Sequence, residues 1–204
     1  MEGDEFLLRR AIVLAGVLVY WVGVYIQARR VRKQIGRSPN MKPRTPKEKF
    51  LWLGWMLVIG GWIAVPFLAG KGKLGPLFQF YVVVPDVLAI GLGIVLTIVG
   101  YACTLWCYAA MGNAWRICVN PKEKNQLVTS GPYRRMRHPI YSFQIVMLIG
   151  ALLLLPTIIT ALILAVHVFC TLIKATDEEA YLMKVHGESY REFMARTGRL
   201  FPKL

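Results

Sequence analysis

Five stretches of this sequence are apolar over lengths that cross a lipid bilayer, and that pattern limits the possible folds more than any other feature. They run from Leu7 to Gln27, Phe50 to Ala69, Val84 to about Met111, Pro139 to Leu155 and Thr157 to Ile173. A hydrocarbon core of about 30 Å takes roughly 17 to 25 apolar residues per helix. Lipid offers no partner for a backbone amide, so each window has to satisfy its own hydrogen bonds as a helix. The composition agrees, with 56% of the 204 residues hydrophobic and 18% charged, against about 25% charged for an average soluble domain. The expected fold is all-α, an integral membrane protein of about five transmembrane helices. The last two windows meet at Pro156. Proline removes a backbone donor and disfavours helix in the residue before it, so a tight helical hairpin is expected there.

A net charge of +14 suggests nucleic acid in a soluble protein, but here the placement of the charge follows topology. Residues 28 to 49 hold nine Lys and Arg, residues 112 to 138 six, and the tail from Lys174 another six; only Arg9, Arg10, Lys71 and Lys73 lie elsewhere. The positive-inside rule then sets the N-terminus outside and the two basic loops and the tail in the cytoplasm, against anionic head groups. No basic stripe interleaved with aromatics lies on a soluble face, so no nucleic-acid module is expected. The first apolar run lacks a small-residue cleavage pattern and reads as a retained anchor. Cys103, Cys107, Cys118 and Cys170 show no CxxC spacing and read as packing residues. The segment GLGIVLTIVG in the third window lacks the strand, the third glycine and the amphipathic helix of a dinucleotide site, and its small residues read as a close helix contact.

Polar residues capable of chemistry concentrate in the C-terminal part. Residues 1–110 read as a transmembrane scaffold of three helices and a basic loop, and residues 111–204 as the cofactor-binding, catalytic region. From Met111 the chain reads MGNAWRICVNPKEKNQLVTSGPYRRMRHPIY. Pro139 stands where a helix begins, and a helix start beside Arg137 and His138 suits a carboxylate or phosphate. The second cluster is KATDEEAYLMKVHGESYREFMARTGRLFPKL, read as an amphipathic helix from about Ala175 to Arg196. On it Lys174, Glu178 and Tyr181 share a face. The hairpin brings both clusters to one membrane face, joining Arg137, His138 and Tyr141 to Lys174, Glu178 and Glu179. His167 reads as a mid-span hydrogen-bonding residue and His186 as facing the tail helix, with no spacing for a metal site. Asp86 reads as the cap of the third span.

With LVTSGPYRRMRHPIY, DEEAYLMKVHGESYREF and RTGRLFPKL in view, the chain resembles the isoprenylcysteine carboxyl methyltransferase family of membrane enzymes from about Met111 to its end. The resemblance implies an S-adenosylmethionine site at the cytoplasmic membrane face and a lipid-bearing or prenylated carboxylate that arrives from the bilayer. It implies a cofactor pocket lined by Leu127, Val128, Gly131, Tyr133, His138, Pro139 and Tyr141 and closed by Glu178 or Glu179. Arg137 and the basic residue before the acidic pair would hold the substrate carboxylate. That second position is an arginine in better-known members and Lys174 here, a point charge in place of a two-pronged fork. No metal is implied. A phospholipid N-methyltransferase with a similar cofactor region remains an alternative. More distant readings are a sterol-type reductase and a non-enzymatic membrane protein.

Overall fold

The computed structural model describes residues 3–36, 43, 45–81, 85–115 and 126–203. Six helices account for most of them: α1 (Gly3–Ile35), α2 (Pro46–Leu68), α3 (Asp86–Met111), α4 (Pro139–Leu154), α5 (Ile158–His186) and α6 (Glu188–Arg196). Among the described residues there is no strand, and one isolated bridge joins Met136 to Gly198. Four helices, α1, α2, α3 and α5, are long and apolar enough to cross a membrane, and α4 is a shorter apolar helix. The outer surface is what lipid requires: Leu18, Leu53, Leu57, Ile98 and Phe169 are exposed.

Helix starts follow local chemistry. Thr45 and Glu48 form a reciprocal capping box before α2, with Pro46 in its first turn. Thr157 accepts from the Thr160 amide at the start of α5. Asp86 does not cap α3 with its side chain; Arg9, almost fully buried on α1, takes its carboxylate at 2.7 Å and also holds Glu5. The ion pair ties α1 to α3, so a local cap gives way to a tertiary contact.

The hairpin at Pro156 forms as the sequence predicts, with α4 ending at Leu154 and α5 starting at Ile158. Close packing of α3 on α4 rests on glycine. A Cβ at Gly100 would lie 2.8 Å from the Phe143 carbonyl oxygen, and one at Gly150 would lie 2.8 Å from that of Gly93. The small residues of the third window thus bring two backbones together, the close contact expected of them.

The predicted tail helix differs. Residues from Ala175 onward continue α5 without a break to His186, and Gly187 at φ +54° turns the chain into α6. The fifth apolar window and the first part of the amphipathic segment, to His186, are therefore one 29-residue rod, and the rest of that segment is α6. The sequence divides them because hydropathy changes at Lys174, whereas backbone hydrogen bonding does not. Of the cysteines, Cys107 and Cys170 are buried and Cys103 partly so, and Cys118 lies outside the described residues.

Candidate functional site

The start of α4, the polar end of α5 and the C-terminal tail meet at the basic end of the bundle. Gly131, at φ +58°, opens a short 3-10 turn, Gly131–Arg134, beneath the end of α3, where a Cβ would lie 3.3 Å from the Trp106 indole nitrogen. The next residues pair with the tail. The Arg137 amide donates to the Gly198 carbonyl at 2.8 Å, His138 to that of Arg199 at 3.0 Å, and Gly198 to that of Arg135 at 3.1 Å. Ser142 donates to the Leu200 carbonyl. The segment TGRL is a latch on the RHP segment.

Glu179 is the hub beneath this latch. With its side chain only 6% exposed, it receives Arg137 Nε at 2.7 Å, two Arg199 nitrogens at 2.6 and 3.1 Å, and His138 Nε2 at 3.3 Å. Arg137 Nη1 donates to the carbonyls of Met194 and Thr197. The anion site expected at the helix start is thus met by the protein's own carboxylate and carbonyls. Arg199 and the latch are the part that sequence reasoning missed; RTGRLFPKL carried a resemblance but no assigned role.

Glu178, one residue earlier, faces a different space. Tyr141 donates to it at 3.0 Å, His138 Nδ1 lies 3.4 Å away, and Lys174 Nζ lies 3.8 Å away across one turn. His138 therefore stands between two carboxylates, one at each ring nitrogen. Burial alone would lower its pKa, but hydrogen bonds and charge attraction to Glu178 and Glu179 outweigh that and raise it above the ordinary 6.5, which favours the imidazolium. Burial and then nearby Cys107 and Glu178 hold the Tyr133 phenol well above its ordinary value. Together four basic groups, Arg137, His138, Lys174 and Arg199, meet two carboxylates.

A cavity of about 450 Å³ runs from this cluster between the helices. Of the predicted site residues, Leu127, Val128, Tyr133, Arg137, His138, Tyr141, Lys174 and Glu178 line it; Gly131, Pro139 and Glu179 sit behind that wall. Tyr181 and His186 line it too, so the face shared by Lys174, Glu178 and Tyr181 is the cavity face. The first two helices do more than support: Tyr20, Trp21, Trp52, Trp55 and Trp62 form the opposite wall. A ladder of rings links the polar and membrane-depth parts, with His138 stacked on Tyr141 at 5.6 Å, Tyr141 next to Trp55 at 6.4 Å, and Trp55 edge-on to His167 at 4.9 Å. His167 is buried, and neither of its ring nitrogens has a hydrogen-bond partner. Sequence reasoning expected an internal hydrogen bond there; the ring opens instead onto the cavity.

The donor set suits a cationic, amphoteric cofactor. A carboxylate and a phenol for ammonium or hydroxyl groups, cationic side chains for a carboxylate, and aromatic faces for a positive centre share one cavity. Among the described residues, no group of three or more His, Cys, Asp or Glu could hold a metal ion.

Residues 88–189, half of the chain, match the phospholipid methyltransferase family. The chain is 30% identical over 123 residues to the cobalt-zinc-cadmium resistance protein CzcN of Cupriavidus metallidurans, over 59% of this chain and 51% of that protein. It is 28% identical over 97 residues to the nickel-cobalt-cadmium resistance protein NccN of Alcaligenes xylosoxydans xylosoxydans, over 47% of this chain and 46% of that one. The chain thus spans about half the length of the curated relatives it matches.

Proposed function

We propose, because this chain belongs to the phospholipid methyltransferase family and has four helices long and apolar enough to cross a membrane, that it is a membrane methyltransferase whose methyl donor is S-adenosylmethionine and whose acceptor is a lipid-borne carboxylate. The acceptor class that the polar end of the site supports is a lipidic thiol acid, of which a prenylated cysteine is one form, entering from the bilayer. The observation that carries this reading is the surplus of positive charge at the polar end of a mostly apolar cavity. Such a surplus attracts an anion and opposes a second ammonium group.

S-adenosylmethionine, when bound, supplies a methyl group on a positively charged sulfur. Glu178 and Tyr141 would hold its ammonium or ribose hydroxyls, Lys174 and His138 a carboxylate, and the faces of Tyr133, Tyr141 and Trp55 its positive centre. Arg137 and Glu179 would keep His138 oriented from behind. An ionised carboxylate has no proton to lose, so the protein needs to align it and strip its water, and the apolar walls of the cavity serve that purpose. Lys174 would steer the acceptor to the polar end. By the placement of basic residues, that end is cytoplasmic.

A second reading is methylation of a lipid amine, favoured by the family's description and by a carboxylate, Glu178, open to the cavity as a base. The relatives' names speak of metal resistance, and the reading proposed here does not rest on metal binding. The test uses radiolabelled S-adenosylmethionine and the detergent-purified chain with lipid acids and lipid amines. Label that alkali releases as methanol is a methyl ester and supports the carboxylate reading. Label retained through alkali on an amine lipid overturns it in favour of the second. Calorimetric titration with S-adenosylhomocysteine tests the donor separately.

A further inference from the structure

Away from the ion cluster, the cavity wall carries polar atoms that nothing in the protein satisfies. Both ring nitrogens of His167, the indole nitrogens of Trp21 and Trp62, and Oε1 of Gln144 are buried without a hydrogen-bond partner. All four residues line the same cavity. They come from four helices, α1, α2, α4 and α5. The other end of the Gln144 amide is already committed, donating to the Tyr20 hydroxyl at 2.6 Å, which fixes the side chain against α1.

Their depth matters. His167 lies seven residues before Lys174 on α5, roughly 10 Å along the helix axis from the polar end. At that depth lipid cannot hydrogen-bond, and an unmet donor or acceptor is strongly disfavoured. One such atom is an ordinary packing compromise. Donors and acceptors from four helices around one space form a binding surface. A neutral imidazole offers one donor and one acceptor, each indole one donor, and the amide oxygen an acceptor, so the set matches a hydroxyl, which both donates and accepts. A plain hydrocarbon or prenyl chain has no atom to offer it.

We propose that the acceptor lipid carries a hydroxyl within its body, apart from the methylated head, which donates to Gln144 Oε1 and is held by His167 at membrane depth, in the part of the cavity that the Trp21 and Trp62 indoles also line. This inference rests on the methyltransferase reading for the identity of the head, but not for the existence of the deep polar subsite. It selects, among lipid acids of equal length, those with a hydroxylated body. Selection works through unmade bonds, since a chain lacking the oxygen leaves the buried groups of the subsite unpaired.

The test is direct binding to the full chain in nanodiscs, read by the emission of the tryptophans that line the cavity. Octadecanoic acid is titrated against a set of its hydroxy derivatives, positional isomers with the hydroxyl moved along the chain. The expected result is one favoured position, bound about tenfold more tightly than the plain acid, the worth of one buried hydrogen bond. His167→Phe, which keeps an aromatic ring against Trp55, and Gln144→Met should each abolish most of that preference while still binding the plain acid. Equal affinity for all isomers in the wild type, or a preference that survives both substitutions, overturns the proposal. Titration with S-adenosylhomocysteine on the same samples keeps the two ideas apart. Loss of donor binding with the hydroxyl preference intact sinks the methyltransferase reading alone, and donor binding without any hydroxyl preference sinks the deep subsite alone.

Discussion

The two ends of the cavity differ in how far they are satisfied. At the polar end every strong charge has a partner: Glu179 is held by Arg137, His138 and Arg199, and Glu178 by Tyr141, His138 and Lys174. At membrane depth the polar atoms of His167, Gln144, Trp21 and Trp62 stand unmatched. The carboxylates of the first region are held within the protein, although the buried Tyr190 hydroxyl beside them has no hydrogen-bond partner, and the cluster orients whatever binds. The second is completed by its ligand. Removing Glu179, which sits behind the cavity wall, should therefore cost stability, removing Glu178, which lines the cavity, should cost donor binding, and removing a group from the second region should cost selectivity.

The sharpest way to break this contrast is Glu179→Ala. It strands Arg137, with a side chain only 11% exposed, beside His138 at 5%. Loss of one partner of a buried ion pair costs about 3 to 5 kcal/mol. Chemical unfolding in detergent should show a drop of that order and a loosened tail, read as faster proteolysis after Arg196. A drop below about 1 kcal/mol, the range of an exposed pair, would mean that the hub is not structural.

Glu178→Gln should do the reverse. Glutamine keeps the shape and still accepts from Tyr141, so the loss of stability should stay small, while affinity for S-adenosylhomocysteine should fall by about 1.5 to 3 kcal/mol, the worth of a hydrogen bond to a charged group. Calorimetry on both variants is the check. If Glu179→Ala folds normally and loses only donor binding, the roles of the two carboxylates are exchanged.

These neighbouring glutamates also show where sequence reasoning stops. The helical windows, the hairpin at Pro156 and the meeting of the RHP segment with the acidic pair were all legible, because hydropathy and proline act locally and the hairpin has only one way to fold back. What separates Glu178 from Glu179 is a rotation of about 100° around α5, and which one faces the cavity depends on where the tail docks. The tail's docking rests on backbone pairing of Gly198 and Arg199 with residues 135 to 138, and backbone pairing leaves little trace in side-chain types. The same reason hid the contribution of α1 and α2. Their tryptophans look like ordinary span residues until the packing turns Trp21, Trp55 and Trp62 inward.

A smaller effect is expected at Gly187, the break between α5 and α6. Its φ of +54° with ψ of −122° is a conformation that favours glycine, yet a Cβ there would meet nothing within 4 Å. Gly187→Ala thus tests the backbone alone, at about 1 to 3 kcal/mol. Because α6 leads into the latch, the loss should appear in the stability of the polar end and leave the tryptophan emission of the deep wall unchanged. A shift in that emission would mean the two regions are coupled through α5.

The weakest expected signal is the pH dependence of His138, because burial opposes most of what its two carboxylates supply. Its pKa is raised in the folded state above the ordinary 6.5. The stabilisation from the charged ring is therefore complete below about 6.5, the unfolded value, and fades as pH climbs through the higher folded value. The groups facing it are Glu178 and Glu179 on α5 and Tyr141 on α4, with Arg137 and Arg199 on the far side of Glu179. A neutral substitute such as His138→Asn should be less stable than wild type at mildly acidic pH and draw level as pH rises. If the gap widened on the alkaline side instead, the ring would be neutral in the folded protein. Glu178 and Glu179 would then be held by Arg137, Arg199 and Lys174 alone, and the polar end would be less complete than its geometry indicates.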